Sequence, residues 1–332
     1  MEIKNFYKRV KVMTIIMAML PFYSYANSLQ GDVDGNGIVN ISDVTSLIDY
    51  LLNGDETGLN LVDADIDNDG LLTIRDVTGL IDLLLGPNVE THNETFVING
   101  VSFTMIYVEG GTFAMGEETE VFASPVHDVT LSDYMIGETE VTQELWLAVM
   151  GYNPSFYCST EGYEENLQRP VECIRWNDCQ DFIAKLNNCT GRNFRLPTEA
   201  EWEFAARGGN KSHNYLFSGS NNLVEVGWVW ENIPSQDLYN ESGTQPVGLK
   251  KPNELGICDM SGNVWEFCQD WFAGYSADPQ VNPTGPETGT YRVMRGGAFN
   301  NSSIGDVSCC VYARMPGGGL NSTKGFRIAL PL

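Results

Sequence analysis

Two acidic loops, starting at Asp32 and at Asp65 and so repeating with a period of 33 residues, constrain this chain more than any other feature. The first reads Asp32-Val-Asp34-Gly-Asn36-Gly37-Ile38-Val-Asn40-Ile-Ser-Asp43 and runs into Val-Thr-Ser-Leu-Ile-Asp-Tyr-Leu-Leu. The second reads Asp65-Ile-Asp67-Asn-Asp69-Gly70-Leu71-Leu-Thr73-Ile-Arg-Asp76 and runs into Val-Thr-Gly-Leu-Ile-Asp-Leu-Leu-Leu. A match of this length at a fixed interval is a duplication. Oxygen-bearing side chains at loop positions 1, 3 and 5 converge on one point, glycine at position 6 permits the sharp turn, and position 7 offers its backbone carbonyl. The acid at position 12 closes the cage from the first turn of a helix. A hard cation that takes six to eight oxygens suits this donor set, and calcium is the expected ion. The expected ligands are Asp32, Asp34, Asn36, Ile38, Asn40 and Asp43 in the first loop, and Asp65, Asp67, Asp69, Leu71, Thr73 and Asp76 in the second. Val44, Leu47, Ile48 and Leu51 recur at helical spacing, as do Val77, Leu80, Ile81 and Leu84, so each loop feeds one amphipathic helix.

An EF-hand carries glutamate at position 12, whereas here Asp43 and Asp76 stand there and one helix follows each loop. In this the pair resembles a type I dockerin, over residues 28–87. The resemblance implies a small all-α calcium-binding domain that docks onto a cohesin-type scaffold protein through the first part of each helix. Ile41-Ser42 and Ile74-Arg75 precede the closing acids, where cellulosomal dockerins often carry a Ser/Thr pair. That departure leaves a self-contained stabilising role beside docking. Without metal, the carboxylates of Asp32, Asp34 and Asp43, and of Asp65, Asp67, Asp69 and Asp76, would repel in two small clusters, so the module is expected to loosen when calcium is removed.

Ahead of the repeat lie Lys4, Lys8, Arg9 and Lys11, an apolar run from Val12 to Phe22, and Ser24-Tyr25-Ala26, a small-x-small cleavage pattern. This reads as a signal peptide over residues 1–26 and predicts a secreted protein, extracellular or periplasmic, with no membrane attachment after cleavage; the alternative is an uncleaved anchor. The chain carries 44 acidic against 19 basic residues, a net charge of -25, which argues against nucleic acid as a partner and suits cation binding. All eight cysteines fall at or beyond Cys158, and export would permit disulfides, whose pairing the spacing does not fix.

Gly86-Pro87-Asn88 ends the repeat, residues 88–98 read as a linker, and residues 99–332 form a second domain. Short β-type runs such as Phe96 to Ile98 and Phe103 to Val108 alternate with Gly-rich turns. Helices are expected from Val141 to Met150, from Asn177 to Leu186, and from Pro197 onward, where Thr198 and Glu201 make a capping box ahead of Trp202, Ala205 and Ala206. The class is α+β with little regular structure.

Several phrases in this domain carry a resemblance. They are Val108-Glu-Gly-Gly-Thr-Phe-Ala-Met-Gly116, Glu138-Thr-Glu-Val-Thr142, Arg195-Leu-Pro-Thr-Glu-Ala-Glu-Trp-Glu-Phe-Ala-Ala-Arg-Gly-Gly209, Asn253-Glu-Leu-Gly, Asp259-Met-Ser-Gly-Asn-Val-Trp-Glu266, Arg292-Val-Met-Arg-Gly-Gly297 and Gly325-Phe-Arg327. They resemble the sulfatase-modifying-factor family of the formylglycine-generating enzyme, whose fold is a variant of the C-type lectin fold. The resemblance implies a structural calcium site on Asp259, Gly262, Val264 and Glu266, the acids through carboxylates and the other two through carbonyls.

It also bears on catalysis, in the opposite direction. The family enzyme holds copper(I) on two cysteines four and nine residues after the Gly-Gly pair, and soft thiolates suit that metal. Counting from Gly297 gives Asn301 and Asp306, both hard donors, and Arg314 then falls on the family's arginine without a gap. Ala298 stands where the family has serine. Cys309 and Cys310 lie roughly 10 Å further along an extended chain at about 3.3 Å per residue. The family's iron-dependent carbon–sulfur branch uses a histidine-rich domain, and this chain has only His92, His127 and His213. The expectation is therefore a non-oxidase binding module for a peptide or carbohydrate, tethered by the dockerin-like part. Phe299, Asn300, Asn301, Arg314 and Arg327, with Trp265 and Trp271, are the residues proposed to line its groove, while core packing is at least as good a reading of the two tryptophans. The alternative is a divergent family oxidase that uses other residues.

Overall fold

The structure, a computed structural model, describes residues 29–67, 70–85, 93–161, 165–233, 243–302 and 308–332. The signal-peptide reading at 1–26, the expected ligand Asp69, and Asp306, expected at the second copper position, lie outside them. The chain divides into two compact units, the first ending at Glu90 and the second beginning at Thr91. No helix among the described residues is long and apolar enough to cross a membrane.

The first unit is helical: α1 (Ile41–Asn53), the short α2 (Leu61–Ala64) and α3 (Ile74–Leu85). Asn40 starts α1 by accepting the Ser42 N–H at 2.8 Å, and the Asp43 carboxylate returns to the Asn40 N–H at 2.8 Å. Gly54, at φ +71°, ends α1 in the left-handed cap that favours glycine. Leu47 and Leu80, equivalent positions of the two repeats, are both fully buried, with Val33, Val44, Ala64 and Val77 around them. That is a small apolar core for a folded unit.

The second unit is α+β, as expected, with three small sheets. One has the antiparallel order β1 (Glu94–Ile98), β2 (Val101–Val108), β5 (Tyr134–Gly137), β11 (Ala329–Pro331). Pairing thus begins at Glu94, inside the stretch read as linker, because Glu94 to Ile98 face Met105 to Val101 in register. A second sheet runs β10 (Lys324–Gly325), β6 (Trp265–Trp271), β8 (Arg292–Arg295), β9 (Arg314–Gly317). The third holds β3 (Gly111–Met115), β4 (His127–Leu131) and β7 (Gln280–Val281).

The helices fall close to their expected places. α4 (Gln143–Met150) starts later than expected because Thr142 is its cap, accepting the Leu145 N–H at 3.1 Å. α5 (Trp176–Thr190) runs on to a Gly191 cap at φ +69°. α6 (Glu199–Ala206) has the expected capping box, with Thr198 and Glu201 each accepting from the other's backbone N–H. A short α7 (Leu223–Val226) follows. Trp146 stacks on Phe182 with ring centroids 5.3 Å apart in one core, and Trp202, Phe204 and Tyr134 pack in another. Every residue of α6 is buried, its three glutamates included. Thr198→Ala removes the cap of this buried helix and is expected to cost about 1 kcal/mol in urea unfolding. Thr198→Ser is expected to restore most of it.

Candidate functional site

Three of the expected ligands come together in each acidic loop. Carboxylate oxygens of Asp32, Asp34 and Asp43 all lie within 4.8 Å of one another, and so do those of Asp65, Asp67 and Asp76. The two loops use the same scaffold. Asp43 accepts the Asp34 and Asn40 N–H groups at 3.1 and 2.8 Å, and Asp76 accepts those of Ile66 and Thr73 at 2.9 and 2.8 Å. Burial acts to raise the Asp76 carboxyl, but the Thr73 and Ile66 hydrogen bonds outweigh it and hold the group below its ordinary range. Asp32 gives one oxygen to the Gly37 N–H at 2.9 Å, and its other oxygen is buried with no hydrogen-bond partner among the described residues. An orphaned carboxylate oxygen amid all-oxygen donors fits a hard cation. Asn36 turns its side-chain oxygen to the Ile38 N–H at 2.8 Å, while Asn40 and Thr73 spend theirs capping α1 and α3. Position 9 often reaches the ion through water, so this capping is compatible with its place in the loop.

In the second unit Asp259 and Glu266 are both buried, but differently placed. Asp259 accepts the Gly248 N–H at 2.6 Å and leaves its other oxygen buried and unpartnered among the described residues, and burial pushes its carboxyl up to about 6. Glu266 has both oxygens occupied, by Arg327 at 2.6 and 2.7 Å and by the Trp202 indole N–H at 2.7 Å. The intervening turn carries Gly262 at φ +93°, where a Cβ would meet the Trp228 carbonyl oxygen at 2.4 Å, so only glycine fits. The Val264 N–H and the Asn263 amide both donate to Glu140, a fully buried acid raised well above its ordinary range by burial and by Asp259 and Glu266. Glu140 was not among the expected ligands.

At Asn301, reached by counting from Gly297, the side chain accepts the Ala298 N–H at 2.7 Å while the backbone N–H donates to the Ala298 carbonyl at 2.9 Å. The residue closes a turn. Cys309 and Cys310 are buried, and Cys309 packs so tightly that a Cβ on Gly297 would lie 2.4 Å from its sulfur. No disulfide joins the described cysteines.

The expected groove does not assemble as one surface. Arg327 is fully buried against Glu266, so it cannot line a groove. Phe299 is buried edge-on to Tyr157 with centroids 5.5 Å apart, Asn301 is half-buried and Asn300 is exposed. Trp265 belongs to the core, whereas half-buried Trp271 stacks with Arg292 at 3.5 Å. Arg314 belongs elsewhere, in a buried network that motif reading missed. Glu199 on α6 accepts from Arg314 at 2.8 Å, Arg295 at 2.9 Å and the Tyr275 hydroxyl at 3.1 Å. Glu203, one turn on, accepts from Arg295 at 2.8 Å, Arg207 at 2.9 Å and the Gly116 N–H at 2.8 Å. The arginine charges hold Glu203 below its ordinary range against the desolvation that acts to raise it. Beside this network is a cavity of about 390 Å³ whose wall includes His127, Glu199, Asp270, Trp271, Tyr275 and Arg314.

Comparison with known proteins agrees with this architecture. The family profile described as a sulfatase-modifying factor enzyme 1-like domain matches residues 99–332, and the dockerin type I domain matches residues 30–85. A Paenibacillus barcinonensis protein named chaperone protein LppX is 35% identical over 271 residues, covering 69% of this chain and 89% of that protein. The formylglycine-generating enzyme of Thermomonospora curvata is 30% identical over 259 residues, covering 59% of this chain and 82% of the enzyme. Among solved structures, Treponema denticola variable protein 1 superposes with a TM-score of 0.65 at 32% identity, covering 73% of this chain and 99% of that one. With that domain spanning most of its length, the chain belongs to the sulfatase-modifying-factor, or formylglycine-generating-enzyme-like, family and carries a type I dockerin domain ahead of it.

Proposed function

We propose that this is a secreted, calcium-binding protein in which the dockerin domain tethers a non-oxidase member of the family to a cohesin-type scaffold, leaving the larger domain to bind a peptide or carbohydrate. The observation that carries the non-oxidase reading is Asn301. Its amide oxygen is spent on the Ala298 N–H, as a hard donor within a turn, where the family enzyme presents a thiolate to copper(I). The buried Cys309 and Cys310 support the same reading, since a copper pair must meet oxygen and substrate. The name of the Paenibacillus relative, a chaperone protein, is further support for a binding role within the family. Calcium in the dockerin domain is supported by the two carboxylate triads and the orphaned Asp32 oxygen.

In the larger domain, Asp259 is the carboxylate available to a structural calcium ion, with the Gly262 and Val264 carbonyls as companions. Glu266 would join only by giving up part of its pairing with Arg327.

Incubation of a sulfatase-type cysteine peptide with the protein, copper and oxygen is expected to give no aldehyde above background, read by mass spectrometry after hydrazine trapping. Aldehyde formed in proportion to protein would restore the oxidase alternative.

A further inference from the structure

We propose that the cavity beside α6 binds the ammonium or guanidinium head of an organic cation, with Asp270 as its counter-ion. The cavity, about 390 Å³, is of the size of small-molecule sites and is separate from Asn301 and from every expected calcium ligand. Its charged wall groups are Glu199, Asp270 and Arg314, one negative charge in excess. Glu199 and Arg314 satisfy each other, and Arg314 gives further N–H groups to the Phe122 and Ala273 carbonyls at 3.0 and 2.8 Å. Asp270 has no such partner. It is 4% exposed, one of its oxygens accepts the Glu199 N–H at 2.8 Å, and the other makes no hydrogen bond among the described residues. His127, 5% exposed, bonds through Nδ1 to the Pro125 carbonyl at 3.1 Å. A carbonyl only accepts, so Nδ1 donates that bond, and Nε2 has no partner among the described residues.

The aromatic wall is engaged by the chain's own cations. Trp271 already stacks with the Arg292 guanidinium at 3.5 Å, and Tyr275 with that of Arg314 at 4.2 Å. An unpartnered carboxylate oxygen and the surplus negative charge select a donor-rich cation, and the same carboxylate repels anions.

Burial first, then the charge of Glu199, pushes the Asp270 carboxyl up to about 7. Glu201 adds to that rise and Arg295 opposes it, while Arg195, Arg292 and Cys268 also lie within its field. A cation needs the ionised carboxylate, so affinity is present above that value and fades as pH falls through it.

The test is isothermal titration calorimetry of the full-length calcium-loaded protein with agmatine, with a short neutral peptide carrying one arginine, and with N-butylurea as an uncharged control. At pH 8 agmatine or the arginine peptide is expected to bind and N-butylurea not to, with affinity about 10-fold weaker at pH 6. Tighter binding of agmatine assigns a free amine, and tighter binding of the peptide assigns the side chain of a partner protein. Asp270→Asn keeps an acceptor for the Glu199 N–H and is expected to weaken binding at least about 10-fold. Gln280→Arg places a guanidinium of the chain's own in the cavity wall and is expected to block binding without touching Asp270. No heat with either cation at pH 8, equal binding of N-butylurea, or undiminished binding by a folded Asp270→Asn overturns the proposal. Should that variant not fold, undiminished binding by Gln280→Arg overturns it. None of these results bears on calcium or on aldehyde formation, so failure here leaves the proposed function standing.

Discussion

Chelation of calcium from the full-length protein is expected to abolish the cooperative unfolding transition of residues 30–85 and to shift that of the larger domain far less. Three carboxylates within 4.8 Å in each loop repel by about 1 kcal/mol per pair in bulk water and about 3 kcal/mol at an effective dielectric constant of 20. The burial of Asp43 and Asp76, both inaccessible to solvent, favours the stronger end of that range. Against this the unit sets a core of a few side chains around Leu47 and Leu80. A domain so small has only a few kcal/mol to spare, so the repulsion decides whether it folds. Binding and folding are then one equilibrium. Differential scanning calorimetry with and without EDTA reads the effect, and Asp76→Ala in calcium is expected to mimic it in part. A first transition unchanged by EDTA would contradict the proposed calcium role.

Arg295→Met is expected to destabilise the larger domain by about 3–5 kcal/mol, measured by urea unfolding of the calcium-loaded protein. Arg295 is fully buried and bridges Glu199 at 2.9 Å and Glu203 at 2.8 Å. Removing it leaves Arg314 to hold Glu199 and Arg207 to hold Glu203, with the shared cation between the two acids gone. The remaining charges then sit desolvated and in mutual repulsion. Glu203→Gln combined with Arg295→Met is expected to recover part of the loss, because one of the stranded charges has been removed. A loss below about 1 kcal/mol for the single variant would mean that water or a side-chain movement replaces the guanidinium, against the zero exposure of the site.

What could be read from the sequence was what lies close together along it. Three carboxylates of each loop converge because their spacing is set by a local turn, and the Thr198–Glu201 capping box forms because both partners share one helical turn. The groove was a different matter. The expected groove joins Arg314, matched by counting from Gly297, with Arg327 at the end of Gly325-Phe-Arg327, yet one pairs with Glu199 and the other with Glu266, each far away in the chain. Nothing in their spacing names those partners. A signal was present on α6, however. Glu199 and Glu203 stand one turn apart on a segment otherwise rich in Ala, Trp and Phe, and acids that a helix buries require cations from elsewhere. Arg295, within the Arg292-Val-Met-Arg phrase, and Arg314 supply that charge to Glu199. The cavity beside Asp270 had no sequence signal, because β4, α6 and the segment after β6 meet there only in the folded domain.

The clasp around Glu199 also sets a schedule. Its partners Arg295 and Arg314 lie 96 and 115 residues further on, and Ala329 closes the sheet edge at Ile136. Helix α6 therefore carries unneutralised acid until most of the chain has been made, and pairings of such long range form slowly. The nascent domain has a built-in delay: its earlier half remains unable to lock by itself, and late-arriving strands act as the trigger that commits the whole to its final shape.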